Sequence, residues 1–201
     1  MNSNANANFN NSSPVSPDQP MYNVEHSQDT RNVEDRFKGL SEAEIINILD
    51  DQGVELEIAV ENTLRDFNMG TIVRTANAFG VRSVHVIGRR QWNKRGAMKT
   101  DAYMHIHYHK TAKEFSSVMR SRGMSIVAVD NIEHSSSLKK TELPLRCVLV
   151  FGQEGPGLSQ DLIDIAQGVV AIEQLGSTRS LNVGSAAAIV MYAWLSRHRL
   201  P

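Results

Sequence analysis

Cys147-Val-Leu-Val-Phe151-Gly152-Gln-Glu154-Gly155-Pro-Gly157-Leu158-Ser159 is the stretch whose reading decides the fold. Five apolar residues without alternation fit a strand buried on both faces. A glycine loop follows at once, and Ser159 stands where it could cap the next helix. A buried strand that hands over to a helix through a glycine loop is the unit of a parallel sheet. Ligands in such sheets sit beyond the carboxyl ends of the strands.

The same alternation extends in both directions. Apolar runs at 57–60, 84–88, 124–130 and 169–172 read as further strands, and helical spacing marks 69–79, 111–121, 159–167 and 183–197. The expected fold class is α/β, a mostly parallel sheet with flanking helices in one domain over 54–201. Upstream, Leu40, Ile45, Ile46 and Leu49 recur at roughly helical spacing, and Ser41 with Glu44 matches a capping box, so 31–53 is expected to be a short helical extension. Residues 1–30 are rich in Asn, Ser and Pro with little to bury, and are expected to form a disordered tail.

Composition narrows the function classes. The single cysteine, Cys147, lies in an apolar run and reads as a buried structural thiol, so a disulfide framework within the chain is excluded. No apolar run approaches the ~18 residues of a membrane span, and the N-terminus lacks the layout of a signal peptide. A cytoplasmic protein without membrane contact is expected. Charge is split: residues 1–53 carry nine Asp/Glu against three Lys/Arg, whereas 54–201 carry eighteen Lys/Arg against thirteen Asp/Glu. A modestly basic domain suits a polyanionic partner without requiring one.

The glycine loop raises nucleotide binding, and the order of its glycines argues against it. Gly152, Gly155 and Gly157 spell G-x-x-G-x-G rather than G-x-G-x-x-G, and Pro156 lacks an amide to offer pyrophosphate. No Gly-Lys-Ser/Thr follows any glycine run, so a Walker loop is missing as well.

Two further segments place small residues beside polar ones, Asn68-Met-Gly70-Thr-Ile-Val-Arg74 and Ser180-Leu181-Asn182-Val183-Gly184. Singly, each polar residue has an ordinary role open to it. Asn68 and Asn182 can cap helices, Arg74 can pair on a helix surface, and Glu154 can accept loop amides. Two clusters complete the inventory. Arg89, Arg90, Lys94, Arg95 and Lys99 surround Trp92, a pattern that pairs with phosphates and stacks on an unpaired base, or that forms a solvated basic loop. His105, His107 and His109 line one strand face by their period of two; with no Cys or carboxylate cluster beside them, no metal site is expected.

In order and spacing, the three segments at 68–74, 151–158 and 180–184 resemble the three motifs of the SpoU-TrmH family of RNA ribose 2′-O-methyltransferases. The resemblance runs from about residue 55 to the C-terminus. It implies a deep trefoil knot near the C-terminus and S-adenosylmethionine as cofactor, cradled by Val129, Asp130, Gly152, Glu154, Gly155, Ile172, Leu181 and Asn182. It implies a catalytic set of Asn68, Arg74, Glu154, Ser180 and Asn182, with Arg179 joining Arg89, Arg90, Trp92, Lys94 and Arg95 as RNA contacts. It further implies a homodimer in which the first motif meets the other two across the interface, no metal, and RNA as substrate, tRNA before rRNA. A non-catalytic RNA-binding factor on the same fold is the competing class.

Overall fold

In a computed structural model that describes residues 29–62, 68–153 and 155–200, one parallel sheet organises the chain. The elements in order are α1 (Glu42–Asp51), β1 (Leu56–Asn62), α2 (Asn68–Ala78), β2 (Ser83–Gly88), β3 (His105–His109), α3 (Ala112–Ser121), β4 (Ser125–Val129), β5 (Ser136–Ser137), β6 (Cys147–Phe151), α4 (Gln160–Ile165), β7 (Gly168–Ala171) and α5 (Val183–His198). Strand order is β3-β2-β1-β6-β4-β7-β5, and every pairing is parallel. A parallel sheet with flanking helices is the architecture expected above. The expected tail lies outside the described residues up to residue 28.

β6 sits between β1 and β4, which is why all five of its residues are buried and why its sequence shows no alternation. α2 and α5 cover one face, packing Ile72, Val73, Val190 and Trp194 on Ile58, Val60, Leu149 and Phe151. α3 and α4 cover the other with Phe115, Met119 and Leu162 on Ala59, Ile126, Val148 and Val150. Cys147 is fully buried, and burial pushes its thiol up to about 12, so it is inert at neutral pH.

Two local expectations meet different outcomes. Ser41 and Glu44 do form a reciprocal capping box at the start of α1. Ser159 occupies the N-cap of α4, yet its side chain makes no cap bond. The buried Glu61 of β1 accepts the Ser159 N–H at 2.8 Å instead, a partner 98 residues away that no local pattern could name. The two-residue β5 is a further element without a periodic signal.

Polar groups are buried on the α3 side of β1–β3. Glu57 accepts from His85 Nε2 at 2.8 Å and from Arg122, which leaves His85 Nδ1 to face His109 Nε2 at 2.9 Å. The His85 ring stacks on His107 at 4.9 Å between centroids. His85 and His109 are turned on each other, and no cluster able to hold a metal occurs among the described residues. Burial first, and the charge of His85 second, hold His107 and His109 below the usual 6.5. Burial pushes Glu57 up, but its bonds to His85 and Arg122 outweigh that and keep it below the ordinary glutamate value.

Both effects have the same sign. Between the lowered folded values and 6.5 the unfolded histidines bind more protons, so stability falls as pH drops through 6.5. Glu57 adds to the loss once pH falls through its own lowered value. Thermal melts from pH 8 to pH 5 are expected to show a falling midpoint, with a shallower slope in His107→Gln; a midpoint independent of pH would refute this reading of the cluster.

Candidate active site

The carboxyl ends of β4, β6 and β7 converge on one cleft of about 500 Å3, within the range of small-molecule sites. Val129, Asp130, Gly152, Gly155, Ile172 and Leu181, assigned above to the cofactor, all line it, as do Arg179 and Ser180. Glu154 lies outside the described residues. Phe151, Val170 and Gln174 also line the cleft without having been singled out. Phe151 and Val170 lie at strand ends, so the strand-end rule itself could have found them; Gln174 carried no signal.

The glycine loop is shaped by close backbone approach. Gln153 and Gly157 exchange two main-chain hydrogen bonds of 3.1 Å, which join these two residues as the base of a hairpin. A Cβ on Gly152 would lie 2.3 Å from the Gly157 carbonyl carbon. Gly157 itself has φ +72°, and a Cβ there would meet Asp130 Oδ2 at 2.7 Å. Asp130 braces this loop: Oδ2 accepts from Leu158 N at 2.9 Å and Oδ1 from Asn131 N at 2.8 Å. Its carboxylate thus holds the loop in shape while Asp130 itself lines the cleft.

These features fit a ligand without phosphates. Asp130 and Arg179 are the charged side chains of the lining among the described residues, and apolar walls come from Val129, Ile132, Phe151, Leu158, Val170 and Ile172. Gln174 Oε1 is buried without a hydrogen-bond partner, and a bound donor could satisfy it.

Beside the cleft, two helix starts are tied together. Asn182 caps α5, its Oδ1 accepting from Ser185 N at 3.2 Å, while its Nδ2 donates to Asn68 Oδ1 at 2.8 Å. The capping reading of Asn182 is thus met, and the same side chain ties the start of α5 to the start of α2. Gly184 permits the approach, since a Cβ there would lie 3.3 Å from Thr71 Cγ2 of α2. The first and third segments therefore meet within one chain, where the resemblance implied a meeting across a dimer interface. Arg74 does not line the cleft; it lies on the exposed face of α2 and makes no hydrogen bond or ion pair with another described residue.

The basic loop leaves the carboxyl end of β2, at the same end of the sheet as the cleft. Asn62 at the end of β1 holds it, donating to the Arg89 and Gln91 carbonyls at 2.5 and 3.0 Å. Gly96 packs on the first turn of α2, where a Cβ on Gly70 would lie 2.7 Å from Ala97 N. Trp92 departs from expectation. It is half-buried against the core with Nε1 enclosed and unpartnered, so its ring is not an open stacking surface. Lys94 is also committed, donating to Asp101 at 2.7 Å, a bond that raises its pKa above the usual lysine value. Arg90 lies over the Tyr108 ring at 4.6 Å, and Arg89 and Arg95 are exposed.

Comparison with known proteins places this geometry. The model of the family described as SpoU rRNA Methylase matches residues 55–192. A tRNA (guanosine(18)-2′-O)-methyltransferase of Borreliella burgdorferi is 30% identical over 147 residues, covering 72% of this chain and 67% of that protein. Among solved structures, the TrmH/SpoU tRNA modifying enzyme of A. aeolicus superposes with a TM-score of 0.68 at 23% identity, over 79% of this chain and 82% of the other. An AdoMet-bound rRNA methyltransferase from Sinorhizobium meliloti matches with a TM-score of 0.64 at 25% identity, over 76% of this chain but 61% of that one. Thus the chain spans about three fifths of that structure and about two thirds of the B. burgdorferi relative.

Proposed function

The chain belongs to the SpoU rRNA Methylase family, and on that footing we propose that it transfers a methyl group from S-adenosylmethionine to a ribose 2′-hydroxyl of RNA, tRNA before rRNA. The observation that carries the reading is the convergence of β4, β6 and β7 on one cleft, with largely apolar walls, beside the Asn68–Asn182 pair. The names of the relatives support tRNA, with guanosine 18 the first nucleotide to examine. The Sinorhizobium neighbour keeps rRNA as the second reading.

Main-chain groups of the glycine loop and the apolar walls would hold the cofactor, with Leu181 and Ile172 against it. Bound there, S-adenosylmethionine would supply an electrophilic methyl group on a sulfonium, with S-adenosylhomocysteine as the leaving group and the proton of the 2′-hydroxyl passing to solvent. Asn68 and Asn182 fix the helix starts bordering the reacting groups, and Ser180 and Glu154 complete the catalytic set. Arg74 is not assigned the role of base, because a guanidinium offers five N–H donors and no acceptor. It grips the phosphate next to the ribose and favours the ionised 2′-oxygen.

The division into a tail over 1–30, an extension over 31–53 and a catalytic domain over 54–201 belongs to the same reading, as does the trefoil knot. Arg197 and His198 of α5 bond the Leu138 and Leu143 carbonyls, a crossing compatible with such threading. Ile189 and Tyr192 are exposed at 43% and 54% on α5, and Tyr192 lies 6.1 Å from the Phe79 ring beyond α2. We propose this apolar face as the homodimer contact that carries Arg74 of one copy toward the cleft of the other. No helix among the described residues is long and apolar enough to cross a membrane; a cytoplasmic location follows from the proposed substrate.

The direct test is transfer of labelled methyl to an unmodified tRNA transcript, with the product mapped by its resistance to alkaline hydrolysis. Label in rRNA alone would move the substrate, and label in neither would favour the non-catalytic factor. For the RNA surface, Arg89, Arg90 and Arg95 replaced together by Ala are expected to weaken tRNA binding. The salt slope should flatten by roughly 0.7 to 0.9 for each phosphate that is no longer gripped, with S-adenosylhomocysteine affinity unchanged. An unaltered salt slope would shift RNA binding to Arg179 and the dimer groove.

A further inference from the structure

The N-terminal extension packs on the far root of the basic loop. Phe37 and Ile45 of the extension bury Tyr103 of the loop, with Val33, Leu40, Ile48 and Leu49 around them. At the end of α1, Asp50 accepts from Arg82 Nε at 2.7 Å and meets His105 Nε2 at 2.9 Å. Arg82 in turn donates from Nη2 to the Tyr103 carbonyl at 2.6 Å in a buried bond. The loop segment held in this way contains Asp101, the partner of Lys94, and Thr100, whose hydroxyl donates to the Ala97 carbonyl at 2.7 Å. Just before it, Met98 and Lys99 adopt φ 49° and 65°, consecutive left-handed conformations that non-glycine residues keep only where the surroundings hold them.

We infer that the extension is a positioning element for RNA capture: Asp50 and the Phe37–Ile45–Tyr103 contact set the shape in which the loop from Arg89 to Lys99 presents its cations. Charge separates positioning from direct contact. Residues 31–53 carry six Asp/Glu against three Lys/Arg, so the extension itself repels phosphate. What it contributes is the conformation of its basic neighbour. The inference rests on the proposed role of that loop in RNA binding.

The full chain carrying Asp50→Asn, Tyr103→Ser or Tyr103→Phe is titrated with a labelled, unmodified tRNA transcript over a range of salt, and with S-adenosylhomocysteine. Asp50→Asn and Tyr103→Ser are expected to weaken RNA binding roughly three- to tenfold and to flatten the salt slope. S-adenosylhomocysteine affinity stays within about twofold of the wild type, which also reports an intact fold, and Tyr103→Phe restores the wild-type slope. Should Tyr103→Ser fail to fold, Asp50→Asn, which retains shape and loses only charge, carries the test. Wild-type RNA affinity and slope in a folded Asp50→Asn protein, while the Arg89, Arg90 and Arg95 triple variant is impaired, would overturn the inference and leave the loop reading standing. If the triple variant is also unimpaired, the loop reading falls and the inference with it.

Discussion

Arg74→Ala is expected to lower methyl transfer by about 10²- to 10³-fold at saturating RNA and S-adenosylmethionine, the scale of losing one charge-stabilising group at a reacting centre. The fold should scarcely notice. Arg74 is exposed on α2 and bonds to no other described residue, so its removal is expected to change stability by no more than about 0.5 kcal/mol. Arg74→Lys separates charge from shape, since lysine keeps the positive charge and loses the planar fork that pairs bidentately with phosphate. Turnover near wild type in Arg74→Lys would mean that charge alone suffices. Wild-type turnover in Arg74→Ala would remove the residue from the catalytic set.

Gly152→Ala is expected to weaken cofactor binding strongly by a steric route. The added methyl would lie 2.3 Å from the Gly157 carbonyl carbon and 2.5 Å from both the Gly157 oxygen and Leu158 N. These are backbone atoms at a hairpin base held by two hydrogen bonds and by Asp130, so no side chain can swing aside. Overpacking of this kind costs about 1–3 kcal/mol. If the loop yields by opening, S-adenosylhomocysteine affinity falls by at least about tenfold. Gly168→Ala is the control, because a Cβ there meets nothing within 4 Å. Calorimetric titration of both variants is decisive: equal, wild-type affinity would show that the loop does not form the cradle.

Much of the frame was legible because its signals are local. Unalternating apolar runs at Cys147–Phe151 and Ser125–Val129 reflect strands covered on both faces, and the Ser41–Glu44 box marks a helix start through bonds three residues apart. Burial and capping depend on side-chain type at close spacing, so the chain alone marked most of the segments that became strands and helices, β5 excepted, and showed that the glycine loop would end β6. Tertiary structure decided how those segments meet, because pairings across tens of residues leave no periodic trace. It placed Asn182 on Asn68 across 114 positions and brought Glu61 to Ser159. It also turned Trp92 inward and tied Lys94 to Asp101, so that a cluster reading as uniformly basic and aromatic keeps Arg89, Arg95 and Lys99 as its open cations. Charge and composition are properties of the chain; which of those charges remain free is settled by the neighbours that folding delivers.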